Sequence, residues 1–373
     1  MAADAESSGN RSGVRYRGYM SKWAPDMKVR YAKTRNRMIN RSDETEDIIM
    51  GEIKTIGILT SGGDAPGMNA AVRAVVRSAI HNGLAVKGIM RGYHGLLKEE
   101  IRDISSSDVA GIITLGGTLL MTARSKSMVT QEGQDRAAYV LKKNGIDCLV
   151  VIGGDGSLKG AQSIAERGIP VIGIPGTIDM DVALTEYTIG FDTAVNTAKN
   201  AVDNIRDTSA SHERVSIIEV MGRNAGYIAL WTALACGADD VLCKETYSGN
   251  EQELIDHILQ NRTLGKRHHI IINAEAIGKS AELAKTIESV TGIETRATIL
   301  GYLQRGGSPT ARDRVEATIM GEKAVELIMN DQLNQVVVVQ QGKYLSEDIT
   351  KINSAEKQLA DVTYFNPRNL VRT

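Results

Sequence analysis

The stretch from Val151 to Asp181 sets the terms for the rest of the chain. It reads VIGGDGSLKG, a short spacer, and then PVIGIPGTIDMD. Two apolar runs each end in glycines followed by hydroxyls and carboxylates, as buried parallel strands do when they deliver a phosphate or metal site at a sheet edge. Asp155, Thr177, Asp179 and Asp181 are therefore expected near one another, in a crevice at the carboxyl edge of a parallel α/β sheet. The two-residue spacing within TIDMD, if extended, puts both carboxylates on one side of the backbone.

The same device recurs along the chain. Lys54 to Thr60 is a short apolar strand that empties into SGGDAPGMNAAVR, and Met68 to Ile80 reads as a helix with Val72, Val75, Val76 and Ile80 on one face. The turn Ser61-Gly62-Gly63 leaves backbone N–H groups exposed ahead of a helix start, which is an anion cradle. It is neither the GxGxxG dinucleotide fingerprint nor a P-loop ending in GKS or GKT. Val86 to Met90 is a second strand, leading to RGYHGLL, a loop that brings Arg91 or Tyr93 toward a ligand; Gly116 and Gly117 open another loop, which carries Arg124. A helix closing at Lys143, with Gly145 as its cap, precedes the strand Ile146 to Ile152.

Beyond Asp181, Ala194, Ala198, Ala201 and Ile205 are spaced for burial on one long helix. Strands follow at Val215 to Val220, His269 to Ala274, Thr295 to Gly301 and Gln335 to Val339. Helices are expected after MGRNAG, at Glu251 to Gln260, at Glu282 to Thr291 and at Ala317 to Met329, with a tail of low information after the last strand.

A chain of 373 residues suits two domains rather than one. Its formal net charge of -1 gives no reason to invoke nucleic acid, no apolar run approaches the roughly 20 residues that span a bilayer, and no signal-peptide pattern is visible. Cys148, Cys236 and Cys243 lack metal-ligand spacing and fit buried thiols in a reducing cytoplasm. Residues 1–50 differ: basic residues dominate up to Arg41, the acidic run Asp43, Glu44, Glu46, Asp47 follows, and apolar periodicity is weak. That lead is expected to be a disordered basic extension, with the folded part beginning near Met50.

Three acidic groups, Asp155, Asp179 and Asp181, with Thr177 between them suit a magnesium-dependent phosphate reaction. One carboxylate holds the metal while another accepts a proton from an attacking hydroxyl. Arg124, Arg214, Arg223, Arg296 and Arg305 fall at strand starts or in glycine-flanked loops, where guanidinium forks hold phosphate. Serine or cysteine nucleophilic catalysis is disfavoured by the absence of a GxSxG elbow and by the apolar strand around Cys148. A Rossmann dehydrogenase has no use for two phosphate-type turns and a TIDMD pair.

TSGGDAPGMNAAVR, GGDGS, PGTIDMD, GFDTA, EVMGRNAG and TRATILGYLQRGG, in that order over residues 54 to 330, closely resemble bacterial ATP-dependent 6-phosphofructokinases. The resemblance implies a glycolytic kinase that transfers the γ-phosphoryl of MgATP to the 1-hydroxyl of fructose 6-phosphate. Asp179 would be the base, Thr177 a nearby contact, and Asp155 and Asp181 the magnesium-side carboxylates. Arg223 would neutralise the transferring group, while Gly63, Arg124, Gly154, Gly156 and Ser157 would form the nucleotide phosphate site. Met221, Gly222, Glu275, Tyr302 and Arg305 would hold the sugar phosphate, with Arg214 and Arg296 supplied by a neighbouring subunit of a homotetramer. Arg73, Arg77, Arg206, Lys266 and His268 match positions that bind an ADP or phosphoenolpyruvate effector. Gly156 and Gly176 stand where pyrophosphate-using relatives carry aspartate and lysine, so ATP is the expected donor. The implied fold is two three-layer α/β/α domains with mostly parallel sheets: residues 51–190 plus 303–354 for ATP, and 191–302 plus 355–373 for the sugar phosphate.

The chain also departs from the family pattern. Met180 replaces the asparagine of PGTIDND, Tyr302 the histidine of GHIQRGG, Met121 a glycine, and Ser125 an aromatic; Leu264 stands at a basic effector position. Weaker sugar-phosphate binding and reduced adenine selectivity are the corresponding expectations. Three alternatives stay open at this level: another acceptor such as tagatose 6-phosphate, pyrophosphate as donor, and a catalytically weak regulatory subunit that binds sugar phosphate. No membrane or nucleic-acid partner is expected.

Overall fold

Burial on both faces explains the strands that the sequence makes most obvious. Every residue of β4 (Cys148–Gly153) and β5 (Val171–Thr177) is buried, as required of parallel strands covered by helices on each side. In the computed structural model, which describes residues 53–245 and 247–357, these strands belong to an eight-stranded sheet. Its remaining members are β1 (Thr55–Ser61), β2 (Ala85–Ile89), β3 (Ile101–Asp103), β6 (Ile189–Gly190), β11 (Gln335–Gln340) and β12 (Lys343–Asp348). The order is β12-β11-β5-β4-β1-β2-β3, with β6 beside β5; only the outermost pairs, β11 with β12 and β2 with β3, are antiparallel. A second sheet of four parallel strands runs β10 (Thr295–Ile299), β7 (Val215–Val220), β9 (His269–Ala274), β8 (Asp240–Leu242).

Alternation along the large sheet sorts its side chains into two layers. Ile56, Ile58, Val150, Ile152, Ile172 and Ile174 face one core together with Val72, Val75 and Val76 of α1 (Met68–His81). Leu59, Leu149, Val151 and Val171 face the other, beneath α2 (Gly92–Leu97), α3 (Gln131–Lys143) and α4 (Asp155–Ala165). The first core runs on without interruption along α5 (Phe191–His212) to α6 (Tyr227–Cys236) on one face of the small sheet. Helices α7 (Glu251–Thr263) and α8 (Ser280–Thr291) cover the opposite face with Leu254, Ile255, Ile258, Leu283 and Ile287. Both sheets are thus the middle layer of an α/β/α sandwich. Helix α9 (Ala311–Met329) lies against α1, where a methyl group at Gly321 would strike Ala74 and the Ala71 carbonyl.

Several elements differ from their sequence expectation. RGYHGLL is not a loop but the six-residue α2, entered through two successive left-handed residues, Arg91 and Gly92. The strand expected to reach Gly301 stops at Ile299, because Leu300 turns helical and a 3-10 turn, Gly301–Arg305, takes over. Helix α9 starts at Ala311 rather than Ala317, with the Thr310 side chain accepting from the Asp313 N–H at 3.3 Å. The low-information tail contains β12 and a last short helix, α10 (Ile349–Ser354), whose Ile349 and Ile352 are buried. Residues 1–50 and those beyond 357 lie outside the described residues, and so does the expectation placed on them. The described residues from 53 on belong to one compact unit.

One buried carboxylate ties α9 to the junction of β6 and α5. Asp313 accepts from Tyr187 Oη at 2.6 Å, Gly190 N at 2.7 Å, and Thr193 N and Oγ1 at 2.8 and 2.5 Å. All four partners are donors, so only an acceptor fits there. Asp313→Ala should therefore lower unfolding stability by about 3 kcal/mol in urea melts, and Asp313→Asn, whose NH2 faces donors, by a comparable amount. An unchanged midpoint in both variants would show the network to be dispensable.

Candidate active site

The registers of β1, β4 and β5 bring three strand ends level. Ser61 lies beside Gly153, and Gly153 beside Pro175. The turns that follow these strands consequently open on one cleft of about 850 Å³, and the ends of β7 and β9 supply its opposite wall through Met221, Arg223 and Glu275.

On the first wall, Gly62 turns with φ 87°, and Gly63 packs so closely on the Arg305 guanidinium that a methyl group there would collide with it. Arg305 Nη1 also donates to the Asp64 carbonyl at 3.1 Å. The N-terminus of α4 begins at Asp155 and points its first turn, Asp155-Gly156-Ser157, into the cleft. The Ser157 N–H is already bonded to the Gly154 carbonyl at 2.9 Å; the start of the helix and its dipole favour an anion at that turn. Tyr93 Oη braces it by donating to the Ser157 carbonyl at 2.6 Å, and burial pushes the phenol far above its ordinary range. Lys159 pairs with Asp155 Oδ2 at 2.9 Å, one turn further on. The Arg124 loop is pinned by Thr60 Oγ1 donating to the Met121 carbonyl at 2.9 Å and by Thr122 Oγ1 donating to the Gly62 carbonyl at 2.8 Å.

At the floor, β5 ends on Thr177, whose Oγ1 accepts from the Asp179 N–H at 3.2 Å. The following residues are not extended: Met180 has φ 55°, a left-handed conformation that turns its side chain into the apolar core. The expected same-side geometry of an extended TIDMD is thereby corrected, yet Asp179 and Asp181 both line the cleft. Burial, reinforced by Asp181 and Glu275 and opposed by Arg305 and Arg223, raises Asp179 to about 6. Asp181 is also raised, mainly by burial, while Arg223 Nη1 stands 3.9 Å from its Oδ2. Asp179 Oδ1 and Asp181 Oδ1 are buried with no hydrogen-bond partner among the described residues. Two orphaned carboxylate oxygens beside Asp155 are what a hard divalent cation such as magnesium would take up. Across the cleft, the Arg223 N–H donates to Glu275, and the Met221 N–H donates to Gln304 Oε1 at 2.8 Å.

The cleft thus gathers Gly63, Arg124, Gly154, Asp155, Gly156, Ser157, Thr177, Asp179, Asp181, Met221, Arg223, Glu275, Tyr302 and Arg305. Gly222, with φ 143°, sits between two lining residues without lining it. Arg214 and Arg296 are elsewhere, both paired with Glu294, at 3.7 and 2.9 Å. Arg91 does not reach the cleft either; it pairs with Glu100. Of the five residues expected at an effector site, Arg206 donates to the Cys236 and Gly237 carbonyls at the end of α6, and Lys266 pairs with buried Asp239. His268 is held below its usual range by burial, with Arg206 next in effect. Arg73 and Arg77 lie on α1, half-buried and exposed respectively. The sequence reading missed Lys159, Gln134, Ser163 and Val129 as cleft residues. Only Lys159 left a signal, its four-residue spacing from Asp155 on one helix.

The departures at 121 and 180 acquire a backbone meaning. Met121 has φ 58°, and glycine and asparagine, the family's residues at 121 and 180, are the side chains that best tolerate this region. Met180 packs in the core and does not line the cleft.

The phosphofructokinase family matches residues 55–328. An ATP-dependent 6-phosphofructokinase from Clostridium botulinum is 52% identical over 312 residues, covering 84% of this chain and 98% of its own. A protein of the same name from Clostridium acetobutylicum is 53% identical over 315 residues, 83% of this chain and 98% of its own. Among solved structures, phosphofructokinase from Saccharomyces cerevisiae matches with a TM-score of 0.76 at 34% identity, over 86% of this chain and 48% of the yeast chain.

Two outcomes follow from this geometry. The protonated form of Asp179 stabilises the fold; because its value rises from 3.8 to about 6, that contribution is full below about pH 4 and is lost as pH climbs through 6. Asp179→Asn should therefore unfold about 2 kcal/mol later than wild type at pH 7, with the gap closing near pH 4; a gap independent of pH would disprove the ionisation account. Met121 is half exposed and loses little packing on truncation, so Met121→Gly should gain on the order of 0.5–1 kcal/mol in the same melts.

Proposed function

This chain belongs to the phosphofructokinase family, and from that premise we propose that it phosphorylates the 1-hydroxyl of fructose 6-phosphate with ATP, giving fructose 1,6-bisphosphate and ADP. The observation that carries the reading is a buried Asp179, raised to about 6, lining the same cleft as the guanidiniums of Arg223 and Arg305. A carboxylate at that value is ionised at neutral pH and still basic enough to take the proton of the attacking hydroxyl. Its burial at the floor of the cleft lowers the local dielectric and so keeps it basic. Arg223, its largely exposed guanidinium beside Asp181 and its backbone N–H held by Glu275, neutralises charge on the transferring phosphoryl group. The N-terminus of α4 and the Gly62-Gly63 turn receive the nucleotide phosphates. Magnesium, held by Asp155 and Asp181, would supply charge neutralisation on the phosphate oxygens.

Donor choice finds support at two glycines. A side chain at Gly156 would enter open space, so glycine leaves room for the nucleotide; one at Gly176 would press on Ile152 and Met68. The lysine of pyrophosphate-using relatives is thus replaced by a residue that adds neither charge nor bulk, which supports ATP. Tyr302 stands exposed at the rim, beside Arg305, as a neutral sugar-phosphate contact. Arg214 and Arg296, outside this chain's own cleft, fit donation to a neighbouring copy in a homotetramer. Arg206, Lys266 and His268 fit an anionic effector such as ADP or phosphoenolpyruvate. No helix among the described residues is long and apolar enough to cross a membrane, and Cys148, Cys236 and Cys243, none of them in a disulfide, suit a reducing cytoplasmic setting.

A coupled assay for fructose 1,6-bisphosphate, run with magnesium and either ATP or pyrophosphate, tests the proposal. ATP should support turnover and pyrophosphate should not. Asp179→Asn should lower kcat by a factor of about 10² to 10⁴ and leave the KM for ATP within a few-fold. Absence of turnover with ATP in the folded protein would sink the reading.

A further inference from the structure

Away from the cleft, three ligand-type side chains meet between α7 and the small sheet. Asp240 opens β8, His269 opens β9, and His257 lies on α7 between Leu254 and Ile258. Strands β8 and β9 are parallel neighbours, with Asp240 opposite Ile271. The two-residue alternation of each strand then puts Asp240 with Leu242, and His269 with Ile271, on the face that α7 covers. His257 Nδ1 and His269 Nε2 each lie 2.8 Å from Asp240 Oδ2, and the imidazoles meet edge to face at 5.5 Å. None of the three lines the cleft.

We propose that Asp240, His257 and His269 bind a divalent transition metal of the zinc type, which staples α7 to β8 and β9. Two neutral imidazoles and one carboxylate are the donor set of a borderline ion, whereas magnesium and calcium favour oxygen throughout. The three ligand atoms already lie within 4.8 Å of one another. Tetrahedral zinc with bonds of about 2.0–2.2 Å spaces its ligands about 3.4 Å apart, so small side-chain rotations suffice. The buried carboxylate offsets part of the ion's charge, and the His257 side chain, 20% exposed against 1% and 4% for the other two, marks the way in.

The surroundings fit ligation. Asn261, one helical turn beyond His257, places its amide Nδ2 3.2 Å from His257 Nε2; with the amide turned over, Oδ1 accepts the Nε2 proton that a metal on Nδ1 requires. A partner on the far nitrogen is what fixes a metal-bound imidazole, and losing such a partner typically costs 10- to 100-fold in affinity. His269 Nδ1 has no hydrogen-bond partner among the described residues, so nothing on that side fixes its tautomer, and of the two imidazoles only His257 has a partner on its far nitrogen.

The competing arrangement is a carboxylate that merely accepts two imidazole N–H bonds, and it binds no ion. The full chain, stripped with EDTA and titrated with Co²⁺, should develop visible ligand-field bands that saturate at one equivalent and vanish when Zn²⁺ is added; Zn²⁺ should also raise the Tm. His257→Gln keeps a donor toward Asp240 but offers no imidazole, so it should lose both signals while retaining wild-type kinase turnover. Asn261→Leu should keep the bands with affinity lowered at least about tenfold. A wild-type chain without bands or Tm shift overturns the proposal, as do bands of full affinity in folded His257→Gln. Should His257→Gln fail to fold, unchanged affinity in Asn261→Leu overturns it instead.

Discussion

Three parallel strands ending at the same level are the constraint from which the site follows. Their register is set by continuous hydrogen bonding from Ile56 with Cys148 through Ser61 with Gly153, and from Leu149 with Val171 through Gly153 with Pro175. A slip of one residue in any of them would turn an entire set of isoleucines and valines from one core to the other. The two apolar layers therefore hold the Ser61, Gly154 and Thr177 turns in line far more firmly than any contact inside the cleft could. Packing fixes the frame, and the polar chemistry is hung from its edge.

What hangs there is electrostatically unfavourable on its own. Asp179 and Asp181 are close, partly desolvated and short of hydrogen-bond partners, and each raises the cost of ionising the region. Arg223 and Arg305 offset this only in part. A site arranged in this way is preorganised for cationic and phosphoryl ligands and strained without them. The Asp313 network shows the opposite design nearby, a carboxylate whose every partner is a donor and whose role is to join elements.

The sequence made much of this legible for physical reasons. Strands β4, β5, β7 and β9 are short, apolar and bounded by glycines or carboxylates, so their type and order could be read directly, and the turns that follow them named most of the cleft. The misses around the cleft have two causes, which are that left-handed backbone and neighbours distant in sequence leave no periodic trace. TIDMD looks like alternation until Met180 breaks it, and RGYHGLL looks like a loop because two left-handed residues precede a helix of six. Gln134 and Val129 join the cleft only because α3 packs beside α4. Arg214 and Arg296 matched a motif, and the fold gives them local partners instead of a place in their own chain's cleft.

The 3-10 turn Gly301–Arg305 is anchored in two directions. Gln304 holds the Met221 N–H at the end of β7, while Arg305 reaches the Asp64 carbonyl and seals against Gly63 after β1. One five-residue turn therefore ties the end of β7 to the turn after β1, and neither edge can shift without pulling on the other. For an evolving lineage this makes the two edges of the cleft a linked trait: a change at 304 or 305 disturbs a contact that joins them, so innovation is steered toward residues that touch only one edge.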